Sequence, residues 1–119
     1  LSVRKDKEGV IKMNISENNE IQFATGARKL LDAVFLVTDE KTGFKSHDLK
    51  VKLRKSAVNL FKSVLDSFES CDYLFKKSQA SKIRGYIIEI QFGLCEALEE
   101  GSLERKNFFK MLFMTKILL

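Results

Sequence analysis

One histidine, two cysteines and a run of carboxylates are the side chains here with the chemistry for catalysis or metal binding, and their spacing suits neither. His47 stands alone, with no Cys or Ser at a nucleophile's spacing from it. Cys71 and Cys95 lie 24 positions apart, with no second pair and no neighbouring histidine to complete a metal site, so they read as buried reduced thiols rather than a disulfide. Glu96, Glu99 and Glu100 crowd the end of an expected helix, where carboxylates are unfavourable unless lysines match them; they read as surface or interface charge. A glycine-rich phosphate loop is missing too. The expectation is therefore a protein that binds rather than catalyses, with no cofactor and no metal.

The chemistry that remains is cationic. Lys50, Lys52, Arg54, Lys55 and Lys62 fall in one stretch, and Lys82 and Arg84 follow. The chain carries 21 Lys and Arg against 16 Asp and Glu, a formal +5, but the surplus is uneven: Lys45 to Lys62 holds six basic residues and only Asp48 opposing them. Such a concentration suits a polyanion, nucleic acid or an acidic protein surface, with a field that salt screens. Lysines that neutralise phosphates give affinity without sequence specificity. The plainer alternative is a solvated helix face.

Helices must position these cations. At 119 residues the chain has one domain's worth of core, and with no proline it lacks the strongest helix breaker. Leu49, Leu53, Ala57, Leu60, Phe61, Val64, Leu65 and Phe68 recur at three and four residues, so one helix carries an apolar stripe inward and the basic residues outward. Ser46 is placed to cap it, with Asp48 in its first turn. An earlier helix is expected after Asn18 or Asn19, through Ile21, Phe35 and Val37, ending near Lys41, Thr42 and Gly43. A third, capped by Ser70 or Asp72, runs through Leu74, Phe75, Ile83 and Ile90 to Gly101, with Gly85 and Gly93 on nearly one face, a pattern of close helix packing. Ser102 is the expected cap of a fourth, whose apolar residues Phe108 to Leu119 cover more than one side and point to self-association. Phe61 and Phe68 sit on the apolar stripe, so they belong to the core and base stacking on them is not expected.

The fold class expected is all-α, an antiparallel up-and-down four-helix bundle over residues 20–119, preceded by an arm at 1–19 in which Ile11 and its neighbours form a short strand or a packing tail. The charged first residues resemble no signal peptide and no apolar run approaches a membrane span of about 20 residues, so a cytoplasmic setting without a membrane is expected.

Val34-Phe35-Leu36-Val37-Thr38, Phe44, Leu53-Arg54-Lys55-Ser56-Ala57-Val58, Ile83-Arg84-Gly85-Tyr86 and Glu89 together resemble a family of four-helix-bundle proteins. That family comprises the rRNA intervening-sequence proteins and the Avd-type accessory proteins of diversity-generating retroelements. The resemblance spans Ala27 to Leu119. It implies a homo-oligomeric ring, a pentamer, with a basic surface for RNA or DNA and for a reverse transcriptase, and it marks Arg54, Lys55 and Arg84 as basic contacts. The intervening-sequence proteins commonly place a proline and glycine after the Ala-Val; here Asn59, Leu60, Phe61 and Lys62 continue the helix, which favours the Avd-like branch. The rival reading is a protein-interaction scaffold whose basic helix docks an acidic partner.

Overall fold

The apolar spacing produces four helices in a computed structural model that describes residues 4–5, 11–12, 15–70 and 72–119. They are α1 (Ile15–Val37), α2 (His47–Phe68), α3 (Tyr73–Glu99) and α4 (Arg105–Leu118), with a 3₁₀ turn at Glu40–Thr42 between the first two. Each of α1, α2 and α3 packs on the next helix in the chain, and α4 closes the circuit by packing also on α1. Cross-helix pairs fix the directions. Arg54 meets Thr38 and Lys50 meets Glu40, Ser56 meets Glu89 and Lys52 meets Glu96, and Gln91 meets Thr115 beyond the Ala97–Leu103 turn, so successive helices run antiparallel. The fold is the all-α four-helix bundle that the sequence implies.

The core is built from Ala27, Leu30 and Val34 of α1, Leu49, Leu53, Ala57, Leu60 and Val64 of α2, Ile83, Ile87, Ile90, Leu94 and Ala97 of α3, and Phe108, Met111 and Leu118 of α4. Phe61 and Phe68 pack against it, as their place on the stripe requires. The stripe is narrower than the apolar pattern suggested: Ile21, Phe35, Leu65, Leu74 and Phe75 are exposed. Burial follows contact with a neighbouring helix, and these side chains lie beyond the line of contact.

Local chemistry sets the ends. Ser46 Oγ accepts from the Leu49 amide at 3.2 Å and Asp72 Oδ1 from the Leu74 amide at 2.9 Å, two of the expected caps. Gly101 takes a left-handed φ of 78°, which turns the chain so that the Ser102 amide donates to the Ala97 carbonyl at 2.9 Å.

Three boundaries differ from expectation. α1 begins at Ile15, so Asn18 and Asn19 lie inside it; with no breaker present, asparagine's modest helix penalty does not stop hydrogen bonds propagating. It ends at Val37 rather than near Gly43, because the Thr38 hydroxyl bonds back to the Val34 carbonyl at 2.7 Å and Asp39 accepts from the Lys41 amide at 3.1 Å, diverting the backbone into the 3₁₀ turn. Ser102 does not cap α4. Its buried hydroxyl accepts from the Lys45 amide at 2.9 Å and donates to Glu100 Oε1 at 2.6 Å, and Glu104 takes the cap position without a side-chain bond.

Upstream, β1 (Arg4–Lys5) pairs antiparallel with β2 (Ile11–Lys12), the strand alternative for the arm. Cys95 is exposed on α3, which corrects the expectation of a buried thiol: α3 turns that position away from both neighbouring helices. Cys71 lies outside the described residues. No described helix is long and apolar enough to cross a membrane.

Candidate nucleic-acid interface

The seven sequence-predicted cations separate into four groups once the helices are packed. Arg54 is half-buried against α1. Its Nε donates to Thr38 Oγ1 at 2.8 Å, its Nη2 donates to the Phe35 carbonyl at 3.3 Å, and the guanidinium carbon stands 4.5 Å from the Phe35 ring centroid. A guanidinium fork bonded to the last turn of a helix satisfies carbonyls that the helix leaves unpaired, and its charge opposes the dipole there. Arg54 therefore fastens α2 to the end of α1.

Two lysines are partly matched by carboxylates. Lys50 Nζ lies 4.0 Å from Glu40 Oε1 and Lys52 Nζ lies 3.8 Å from Glu96 Oε1. Both contacts are at the outer limit of ion pairing; the exposed Lys52–Glu96 pair is worth at most about 1 kcal/mol, whereas the Lys50 side chain is only 18% exposed.

Lys55, Lys62 and Lys82 are exposed, and none of the ion pairs among the described residues includes them. The Ser56 hydroxyl, donating to Glu89 Oε2 at 2.9 Å, sets the register between α2 and α3. Going six residues on from Ser56 and seven back from Glu89 in antiparallel helices brings Lys62 and Lys82 to the same level. Lys55 lies two turns from Lys62 along α2, about 10.5 Å. Asp66, one turn beyond Lys62, bounds this flank. Arg84 does not belong to it. Two residues past Lys82 it lies about 200° around α3 and lines a groove of about 290 Å³ with Phe23, Phe68, Ile87 and Leu118.

A second cationic surface escaped the sequence reading. α4 holds Arg105, Lys106, Lys110 and Lys116 and no acidic residue, and Phe109 and Phe113 stand 58% and 64% exposed on its outer side. The signal was present: Phe109 and Phe113 are one turn apart and out of phase with Phe108, Met111 and Thr115, the residues that α4 buries.

His47 is the exposed first residue of α2, and among the described residues no group of His, Cys, Asp or Glu could hold a metal ion. Glu96 faces Lys52 and Glu100 accepts from Ser102, which gives two members of the carboxylate run ordinary partners. The exposed lysines can attract and hold an anion. No family model, curated protein or solved structure matches the chain.

Proposed function

We propose that this bundle is a non-enzymatic, self-assembling nucleic-acid-binding accessory protein whose phosphate contacts lie on the α2–α3 flank. The observation that carries the reading is the exposure of Lys55, Lys62 and Lys82 on one flank, outside the ion pairs among the described residues. Three lysines that each neutralise one phosphate release three counterions, so the logarithm of duplex affinity falls with the logarithm of salt at a slope of about −2.7. Raising salt from about 50 to 200 mM then costs about 40-fold. Arg54 is withdrawn from this set, and Lys50 and Lys52 contribute only as far as an incoming phosphate outcompetes Glu40 and Glu96.

The resemblance to Avd-type accessory proteins supplies the remaining parts of the proposal: a reverse transcriptase as protein partner, a pentameric ring and a cytoplasmic setting. Self-assembly also has support in the exposed apolar side chains. Phe35 and Leu36 close α1 and Tyr73 and Leu74 open α3, at opposite ends of a body 57 Å long. Two different sticky ends on one molecule favour head-to-tail contacts, which close into a ring when the rotation permits.

Fluorescence anisotropy with a structured RNA and a duplex DNA across a salt series, with mass by light scattering at the same concentrations, tests the reading. Micromolar or tighter binding by an oligomer, falling with salt at the stated slope, supports it. No binding at low salt overturns it in favour of a scaffold for an acidic protein partner.

A further inference from the structure

α4 has two working faces. Phe108, Met111, Thr115 and Leu118 bury one of them in the bundle. The other presents Phe109 and Phe113, about 6 Å apart along the axis, to water. Lys106 and Lys110 each precede one of these rings by three residues and Lys116 follows Phe113 by three, so each ring has a cation beside it on the helix surface. Phe109 is also held in place, edge-on to Phe108 with centroids 5.3 Å apart and planes at 70°. The acidic residues Glu99, Glu100 and Glu104 lie at the α3–α4 corner, before the run of cations begins.

We propose that this outer face binds single-stranded nucleic acid, with bases stacked on Phe109 and Phe113 and phosphates on Lys106, Lys110 and Lys116. The inference rests on the nucleic-acid reading above and narrows it to unpaired strands. Charge selects an anionic occupant: two copies meeting through this face about a two-fold axis would set cation against cation. Ring chemistry selects an unpaired strand, because every exposed base offers a flat π-face to a phenyl ring, whereas a duplex keeps its bases stacked inside.

The test compares a fluorescein-labelled 20-nucleotide oligothymidylate with a 20-base-pair duplex of the same label, at about 50 mM salt, with folding checked by circular dichroism. Phe109→Leu and Phe113→Leu keep an apolar side chain and remove only the ring. Each is expected to weaken oligothymidylate binding at least about fivefold while leaving duplex binding within about twofold. Lys55→Ala/Lys62→Ala/Lys82→Ala is expected to weaken duplex binding more than oligothymidylate binding. If the parent binds both probes and the leucine variants bind oligothymidylate like the parent, the stacking inference fails and the α2–α3 reading survives. If the parent binds neither, both fail. If vesicles of phosphatidylserine and phosphatidylcholine bind the parent and lose the Phe113→Ala variant while oligothymidylate binding is unchanged, the occupant is an anionic bilayer and the inference is overturned.

Discussion

Arg54 illustrates what a residue's type reveals and what only its neighbours reveal. Its charge and its place on a basic helix are plain in the sequence, but its partners Thr38 and Phe35 lie 16 and 19 residues earlier, at the C-terminal end of another helix. No local periodicity encodes that meeting. A charged donor making two hydrogen bonds and a cation–π contact at a half-buried site gives a clear expectation: Arg54→Ala lowers stability by about 1–3 kcal/mol. Urea unfolding measures that loss, and duplex affinity should fall less than in Lys55→Ala; the reverse order would return Arg54 to the binding set. The glycines of α3 make a second expectation, with opposite signs. A Cβ on Gly93 would stand 2.5 Å from Leu53 Cδ2, whereas one on Gly85 meets nothing within 4 Å. Gly85→Ala should therefore stabilise by about 0.5–1 kcal/mol through helix propensity, while in Gly93→Ala overpacking of about 1–3 kcal/mol outweighs the same gain. The sequence paired these two glycines by spacing. Only one of them faces a helix, because close packing depends on what stands opposite.

At the scale of the helices, caps were legible where a side chain serves its own backbone. Ser46, Asp72 and Gly101 act within a few residues of themselves, and short-range chemistry is what a sequence records. Ser102 misled for the opposite reason: a hydroxyl of the right type was taken by the Lys45 amide, 57 residues away. The candidate interface has the same character. Lys55 and Lys62 were readable as one face of α2, but their alignment with Lys82, and the separation of Arg84, depend on how α2 and α3 are set against one another. Replacing Lys55, Lys62 and Lys82 together with alanine should therefore reduce the salt slope of duplex binding by about 2.7, each lysine contributing about 0.9. Unfolding free energy should change by no more than about 0.5 kcal/mol per site, since all three side chains are exposed. An unchanged salt slope would show that the α2–α3 flank does not carry the phosphates.

At the scale of the whole molecule, composition and periodicity made the bundle legible, because four amphipathic helices of this length have few ways to bury their stripes. The outer face of the fourth helix was not legible as a surface. Only packing shows which side chains of α4 are buried and which, such as Phe109 and Phe113, stand open. The apolar ends give the last expectation. Leu36 is 69% exposed in the last turn of α1 and Leu74 is 72% exposed in the first turn of α3, at opposite ends of the long axis. In a head-to-tail ring one end of each copy meets the other end of the next, so Leu36→Asp spoils one partner of every contact and Leu74→Asp spoils the other. Each variant alone should be monomeric by light scattering. Mixed together, each has one intact end complementary to the intact end of the other, and the two spoiled ends that remain prevent growth, so the mixture should stop at a heterodimer. A like-with-like contact behaves differently: it would leave one of the single variants still assembled and the mixture no larger. A parent protein that stays monomeric at every concentration would remove self-assembly altogether.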